Sequence, residues 1–150
     1  MNEQKFHVGI KALILNDKNQ ILLLKANPAE LRGNKTVHWD LAGGRIKEGD
    51  SVEATIKKEI EEELGVDGNC AQVIRPFDGS ISNIKIPIGD EKYGLVLFVY
   101  LCKLHTTQEF KISEEHTEWK WASIDEAKEL LSYKFAKSFI GKLDELKTGV

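Results

Sequence analysis

The sequence has little of what membrane and secreted proteins depend on. Its apolar runs are all short of the ~20 residues that a membrane-spanning helix needs, and the first residues, MNEQKFHVG, lack the apolar core of a signal peptide. Two cysteines are present, Cys70 and Cys102, and their spacing is not that of a metal site. We therefore expect a cytoplasmic protein that has no membrane partner and keeps both thiols reduced.

The sequence also lacks an excess of basic residues, internal repeats and linker segments. A formal net charge of −3 argues against nucleic acid bound by a basic surface, whereas a local basic pocket for a small polyanion is compatible with it. With 150 residues, 41% of them hydrophobic, the chain suits one globular domain spanning residues 1–150. We expect it to be a monomer or a homodimer.

What is present is an alternation of short apolar segments and helix signals. Residues 8–15, 21–26 and 95–102 predict strands, and the last, the most apolar run, follows a turn at GDEKYG and should be central and buried on both faces. AQVIRP, ISNIKIPI and a short segment around WKWA add strands, and Ser123 with Glu126 forms a capping box for a helix over IDEAKELL. The pattern predicts an α/β fold with helices on both faces of a mixed sheet.

Apolar and aromatic side chains near the C-terminus are predicted to pack in the core rather than to bind a ligand. A set at helical spacing predicts a last helix: Phe135, Phe139, Ile140, Leu143 and Leu146. Trp119 and Trp121 alternate on one strand face, where packing is favoured over stacking on a nucleobase.

The most informative segment is residues 41–66, LAGGRIKEGDSVEATIKKEIEEELGV. Asp50 with Glu53 reads as a capping box, and Gly65 is placed to end the helix. Apolar residues at every fourth position draw a stripe along one side of this helix: Val52, Ile56, Ile60 and Leu64.

Three glutamates are crowded within one turn beside this stripe: Glu59, Glu62 and Glu63. Like charges at these spacings repel one another, so a compensating cation is expected. Lys57 and Lys58 could supply part of the charge, but a hard cation such as Mg²⁺, which takes oxygen ligands, would do so better. An acidic helix face is commonly just a solvated face, so the Gly-Gly turn in front of it carries the functional interpretation.

The turn and the acids together resemble the box of the Nudix hydrolases, G-x5-E-x7-R-E-U-x-E-E-x-G-U, where U is a bulky aliphatic residue. When the box is aligned on Gly44, this sequence matches seven of its nine specified positions. A match at so many fixed spacings is a highly specific signal. The two departures, Asp50 for Glu and Lys58 for Arg, keep the charge. WDLAGG is also similar to the family's W-x-L-P-G-G, with Ala42 in place of proline.

The resemblance implies an α/β/α sandwich with a mixed β-sheet and a metal-dependent pyrophosphohydrolase. It implies that Glu59, Glu62 and Glu63 bind Mg²⁺ directly or through water, with Mn²⁺ able to substitute, and that the carbonyl of Gly43 adds a ligand. All three glutamates are therefore candidate catalytic residues.

Many members of the family use a further glutamate, as metal ligand or general base, from the loop before the last strand. Glu115 is the favoured candidate, with Glu114 and Glu118 as alternatives. His116 could act as a base, but a lone histidine in a loop is usually exposed, and that interpretation is favoured.

Four basic residues are candidate substrate contacts. Arg45 follows the Gly-Gly pair, where the family often has a basic residue. Arg32 and Lys35 lie on the polar loop before the box and could bind phosphate oxygens, although solvated loop charges are the alternative interpretation. Lys58 stands at the arginine position of the box but offers a point charge instead of a planar fork.

We therefore predict Mg²⁺-dependent hydrolysis of a phosphoanhydride in a nucleoside diphosphate linked to another group. A nucleoside triphosphate, cleaved to the monophosphate and pyrophosphate, is favoured by elimination, because the markers of the ADP-ribose and dinucleoside-polyphosphate branches are not evident; both substrates remain alternatives. A catalytically weak nucleotide-binding sensor is a second hypothesis, suggested by Asp50 and Lys58. A protein-interaction module is a third. The intact set of acids favours the enzyme.

Overall fold

The chain forms strands and three α-helices within residues 2–149, the part that the computed structural model describes. The strands are β1 (Phe6–Ile14), β2 (Ile21–Ala26), β3 (Trp39–Asp40), β4 (Ala42–Arg45), β5 (Ala71–Ile81), β6 (Ile86–Ile88), β7 (Glu91–Leu104) and β8 (His116–Ala122). The helices are α1 (Val52–Leu64), α2 (Ile124–Leu131) and α3 (Lys137–Lys142). In this part of the chain, none of the helices has the length and apolar character that crossing a membrane requires.

The strands are divided between two sheets. The five-stranded sheet has β4, β1, β7 and β5 side by side, with β6 also paired to β7. It is mixed, as predicted, because β1 runs parallel to β7 and antiparallel to β4. The three-stranded sheet, in the order β3-β2-β8, is antiparallel. The sequence pattern did not separate this second sheet from the first.

Alternating side chains of β1 and β2 divide the apolar residues between two cores. Successive residues of a strand point to opposite faces, so Ile10 and Ile14 pack towards α1 whereas Leu13 packs towards α2 and α3. Leu22 and Leu23 are divided in the same way. Helices therefore cover both sides of the strands, which confirms the predicted α/β/α sandwich.

Strand β7 is central, as predicted, but longer and less buried than predicted. It begins at Glu91, inside the segment read as a turn, and pairs with both β1 and β5. Leu97 and Val99 are buried, whereas Phe98 on the other face is 41% exposed. The expectation of burial on both faces is wrong because α1 packs mainly over β4 and β1.

Helix α1 begins with a different cap from the one predicted. Ser51, not Asp50, is the N-cap, since its side-chain oxygen accepts the N–H of Ala54 at 3.1 Å. Glu53 instead pairs with Lys57 at 3.2 Å. Adjacent Asp and Ser are both good caps, and the local pattern alone did not distinguish them.

The C-terminal end of α1 is the predicted one. Gly65 takes the left-handed conformation, with φ of 67°, and its N–H donates to the carbonyl of Glu61 at 3.1 Å. A Cβ there would lie 2.8 Å from the carbonyl oxygen of Lys111. Glycine therefore both ends the helix and lets the later loop pass over it.

The C-terminal helices follow the prediction in part. Ser123 caps α2 by accepting the N–H of Glu126 at 3.1 Å. Helix α3 is short and is followed by a 3-10 segment, Leu143–Thr148. Four of the five predicted apolar residues are fully buried and Ile140 is half-buried, so they pack in the core as predicted. The single helix expected for them is wrong, because Phe135 precedes α3 and Leu143 and Leu146 lie in the 3-10 segment.

Both cysteines are free thiols. Cys102 is buried within β7, and burial raises its pKa to about 12. Cys70 is half-buried, and its pKa is also raised by burial. Neither thiol is therefore readily ionised, and both are free, as expected of reduced cysteines.

Candidate active site

A cleft of about 1070 Å³ lies where β1, β3, β4 and the end of α1 meet the loops after β2, β5 and α2. Several predicted site residues line it: Gly43, Arg45, Arg32, Glu63 and Glu115. A second cavity, of about 660 Å³, is lined by Phe110, Trp119 and Trp121. Phe110 packs edge-on against Trp119 with ring centroids 4.9 Å apart, so these tryptophans pack as predicted, away from the glutamates of α1.

The expectation of a turn at Gly43 and Gly44 is wrong, because both residues belong to strand β4 and pair with β1. They bring β4 into close contact with β1 and α1. At Gly43, where φ is +150°, a Cβ would lie 2.1 Å from the carbonyl oxygen of Ile10 and 2.9 Å from Cα of Lys11. At Gly44, a Cβ would lie 2.4 Å from Oε1 of Glu59. Gly43 therefore requires glycine, because backbone atoms occupy the space of a side chain, whereas at Gly44 only the carboxylate end of Glu59 occupies that space.

The three glutamates of the box lie in three different environments. Glu63 is 2% exposed, and its Oε1 accepts the N–H of Gly43 at 2.8 Å. Glu59 is half-buried against Gly44, whereas Glu62 is exposed. Helix α1 thus presents a buried carboxylate at Glu63, a half-buried one at Glu59 and a solvent-exposed one at Glu62.

Burial disfavours the charged form of these carboxylates. It raises the pKa of Glu63 to about 8, although the charge of Lys11 and the N–H of Gly43 oppose the shift. Burial also raises the pKa of Glu59, and the charges of Glu62 and Glu115 add to the effect. A cation would reverse this preference, because an opposite charge favours the ionised carboxylate.

Glu115 and His116 reach Glu63 from the start of β8. One ligand atom of each of the three residues lies within 4.8 Å of the others. Nδ1 of His116 is 3.5 Å from Oε2 of Glu63, its side chain is 8% exposed, and among residues 2–149 that nitrogen has no hydrogen-bond partner. Burial lowers the pKa of His116 to about 4, so the imidazole is neutral and has a lone pair available.

The expectation that His116 is exposed is therefore wrong. Strand β8 begins at His116, earlier than the WKWA segment suggested, because the strand pairs along β2 as far as Ala26. Of the three acids considered for this loop, Glu115 lines the cleft. Glu118 instead pairs with Lys25 at 2.9 Å.

This donor set fits a divalent cation. Glu63 is a buried carboxylate with few neutralising partners, and His116 presents an orphaned buried nitrogen beside it. Carboxylates suit Mg²⁺ and Mn²⁺, and an imidazole nitrogen suits transition metals better than Mg²⁺. The exposed Glu115 completes a group open to the cleft.

A buried group of two lysines and one aspartate adjoins these carboxylates, and the sequence analysis missed it. Nζ of Lys11 donates to Oδ2 of Asp40 at 3.0 Å and to the carbonyl of Leu41 at 3.3 Å. Nζ of Lys134 donates to the same Oδ2 at 2.5 Å, and Oδ1 accepts the N–H of Leu41 at 2.7 Å. We call these three residues the Lys–Asp–Lys cluster.

The two ammonium groups dominate the ionisation of Asp40. Burial would raise the pKa of its carboxyl, but the charges and hydrogen bonds of Lys11 and Lys134 outweigh burial and hold that pKa well below its usual range. Burial lowers the pKa of Lys134 despite the opposing charge of Asp40. The one signal in the sequence was the charge of Lys11 within the apolar run VGIKALIL.

The predicted substrate contacts fall into two groups. Arg32 and Arg45 line the cleft. Lys35 and Lys58 lie on exposed surface outside its lining. Nζ of Lys58 is 3.9 Å from Oδ2 of Asp50, so the two departures from the box pair with each other.

Comparison with known proteins gives one consistent result. The model of the NUDIX domain matches residues 5–143. The chain is 26% identical to bis(5'-nucleosyl)-tetraphosphatase (asymmetrical) of Sus scrofa over 125 residues, covering 83% of this chain and 78% of that protein. It is 26% identical to nucleoside triphosphatase NudI of Escherichia coli over 110 residues, covering 73% and 76%. A crystal structure of a C. elegans Ap4A hydrolase binary complex has a similar fold, with a TM-score of 0.68 at 19% identity, covering 96% of this chain and 99% of that one.

Proposed function

Since the chain belongs to the Nudix family and is therefore a pyrophosphohydrolase of nucleotide derivatives, we propose that its substrate is a nucleoside triphosphate. The products are the nucleoside monophosphate and pyrophosphate. The observation that carries this proposal is the charge arrangement of the cleft, where Glu63, Glu115 and His116 adjoin a lining that includes several cations: Lys11, Arg32, Arg45, Lys85, Lys92 and Lys134. Carboxylates suit a divalent cation, and basic residues around them suit a polyphosphate.

In this proposal the cation is Mg²⁺, with Mn²⁺ able to substitute, held by Glu59, Glu62, Glu63 and the carbonyl of Gly43. Glu115 and His116 add donors from β8. When bound, such a cation neutralises phosphate charge and stabilises the transition state of phosphoryl transfer.

The protein's own residues divide the remaining work. The hydrogen bond from the N–H of Gly43 fixes the side chain of Glu63, and it sets the distance between β4 and α1. Glu115 is the exposed carboxylate of the group and is best placed to take a proton from an attacking water. Arg32 and Arg45 contact phosphate oxygens from the cleft walls. Residues 1–150 act as one Nudix domain, and its cytoplasmic location and monomeric or homodimeric state stay predictions.

A dinucleoside polyphosphate is a second candidate substrate. The cleft has a volume of about 1070 Å³, and Tyr133, which lines it and is 36% exposed, lies against His38 with ring centroids 5.1 Å apart and ring planes tilted by 34°. That aromatic surface could accept a second nucleobase. The sensor hypothesis is not favoured, because Asp50 and Lys58, the two residues that suggested it, pair with each other and are not among the residues that line the cleft.

A substrate screen tests the proposal. The protein is incubated with Mg²⁺ and nucleoside triphosphates, dinucleoside polyphosphates or ADP-ribose, and the products are separated by ion-exchange chromatography. We expect pyrophosphate and monophosphate from a triphosphate, with loss of about a hundredfold or more in kcat for Glu63→Gln, or about 3 kcal/mol in activation free energy. Glu61→Gln, an exposed neighbour on the same helix, should retain activity. Full turnover in excess chelator, or turnover of dinucleoside polyphosphates alone, would contradict the proposal.

A further inference from the structure

Lys134 reaches the cleft from the loop between α2 and α3. Its carbonyl accepts hydrogen bonds from Oγ of Ser82 at 2.6 Å and from the N–H of Asn83 at 2.9 Å. The side-chain amide of Asn83 also donates to the carbonyl of Phe135 at 2.8 Å. These hydrogen bonds hold the backbone of Lys134 and Phe135 against the residues that directly follow β5. The side chain of Lys134 therefore enters the cleft from a fixed position.

The Lys–Asp–Lys cluster carries more positive than negative charge. Two ammonium groups share the single carboxylate of Asp40, and both lysines are nearly buried. Two further carboxylates, Glu63 and Glu59, favour the charged form of Lys11, but a cation bound by these glutamates would take up their charge. A buried charge without a partner is unfavourable, so an anion entering here would be stabilised.

The hydrogen bonds show which of the two lysines has donors to spare. Lys11 uses two of its three N–H groups, on Asp40 and on the carbonyl of Leu41. Lys134, within residues 2–149, donates only to Asp40. Its side chain is 12% exposed and lines the cleft, so its remaining N–H groups are available to a ligand there.

We propose that Lys134 binds the polyphosphate of the substrate, that Asp40 is the positioning residue that aims it, and that Lys11 fixes Asp40 from behind. This inference rests on the proposed function in that it takes the ligand to be the phosphate chain of a nucleotide. Two N–H groups of one ammonium can contact two phosphate oxygens as charge-assisted hydrogen bonds. The cluster therefore provides an ammonium group that binds the substrate, in addition to connecting β1 of the five-stranded sheet with β3 of the three-stranded sheet.

Binding of inorganic tripolyphosphate and of a triphosphate with a non-hydrolysable methylene bridge, measured by calorimetry, tests this role directly. Lys134→Gln should weaken both about tenfold to a hundredfold, the effect of losing a hydrogen bond to a charged group. Lys134→Arg should retain most of the affinity because it keeps the charge. Lys137→Gln, an exposed lysine three residues away, is the matched control and should bind like the parent.

Kinetics and stability separate this role from a structural one. We expect Lys134→Gln to raise KM more than it lowers kcat, and Asp40→Asn to shift KM in the same direction by a smaller factor. If Lys134→Gln does not fold, Lys134→Met, which leaves no unpaired polar group, takes its place. A variant that melts at a lower temperature but binds tripolyphosphate as tightly as the parent would overturn the inference.

The outcomes for the two proposals can be told apart. If the parent hydrolyses a nucleotide and Lys134→Gln does so with the same KM, the inference fails while the function stands. If the parent hydrolyses none but binds tripolyphosphate in a manner that depends on Lys134, the function fails while the phosphate site stands.

Discussion

Glu63 is the residue at which the fold and the candidate active site depend on each other. It belongs to α1, holds strand β4 through the N–H of Gly43, and is 2% exposed beside His116. A carboxylate so placed has its pKa raised by burial to about 8. The protonated form is then favoured in the folded protein over a range of pH in which the unfolded chain is ionised.

A pH dependence of stability follows in the absence of a cation. A carboxyl whose folded pKa is above its unfolded value of 4.5 contributes stability that is present at low pH and is lost as pH rises towards 8. His116 has the opposite effect on stability, because its pKa is lowered to about 4 in the folded protein. Its contribution changes only below pH 6.5, the value at which the unfolded histidine titrates. Between pH 6.5 and 8, the free energy of unfolding measured in chelator and denaturant should therefore fall by about 2 kcal/mol.

Two glutamine variants check the assignment to Glu63. Glu63→Gln keeps an oxygen for the N–H of Gly43 and cannot ionise, so its stability should fall much less than that of the parent over that window, with Glu59 as the remaining half-buried carboxyl of α1. Glu61→Gln should show the same fall as the parent, since Glu61 is exposed. A parent protein equally stable at both ends of the window would refute the burial argument.

The exposed pair of Lys58 and Asp50 leads to a contrasting prediction. Its atoms are 3.9 Å apart, with side chains 47% and 32% exposed, and pairs of this kind contribute about 0.5 kcal/mol or less. Lys58→Ala and Lys58→Arg should both keep kcat/KM within about twofold of the parent and change stability by no more than that amount. A loss of tenfold or more in Lys58→Ala at fixed Mg²⁺, reversed in Lys58→Arg, would show that Lys58 orders the site after all.

At the scale of elements, the close approach of strand β4 to β1 and α1 makes the most specific demand on the sequence. Gly43→Ala would press a methyl group on the carbonyl oxygen of Ile10, which is backbone and cannot move aside. We expect it to lower the free energy of unfolding by about 3 kcal/mol, measured by denaturant titration. Gly44→Ala meets only the carboxylate end of Glu59, so it should reduce stability less but lower kcat/KM by about tenfold.

Gly141 provides the control for these two variants. It lies in α3, and a Cβ there would have no atom within 4 Å among the described residues. Gly141→Ala should raise stability by up to about 1 kcal/mol, because alanine favours a helix. If Gly43→Ala proved as stable as Gly141→Ala, the close packing of β4 on β1 would be refuted.

The elements were predictable where the signal is local. Strand β2 was located to the residue, and α1 and its glycine end followed from periodicity, although the N-cap was predicted one residue too early. The start of β8 at His116 and the exposed face of β7 were mispredicted, because they depend on pairing with β2 and on where α1 packs. Apart from the unusual position of Lys11 in an apolar run, nothing in the sequence predicted the Lys–Asp–Lys cluster, since Asp40 and Lys134 are 94 residues apart.

At the scale of the whole molecule, cation binding and folding are one equilibrium. A ligand that binds only the native state stabilises it by mass action, by about 2.7 kcal/mol at a hundred times its Kd. For a chain of this size, saturating Mg²⁺ or Mn²⁺ should raise the Tm by about 5–10 °C. Glu63→Gln should show little or none of this rise, and a parent melting curve that is unchanged across millimolar cation would argue against a preformed site.

The distance in sequence between Asp40 and Lys134 has a consequence in time. As the chain is synthesised, Lys11 and Asp40 emerge early and can pair one to one, whereas Lys134 follows 94 residues after Asp40, about 5–20 s later at ordinary rates of translation. The carboxylates of α1 are made in between. The nascent cleft is therefore rich in acids first and gains its second buried ammonium only when the loop after α2 has docked on β5.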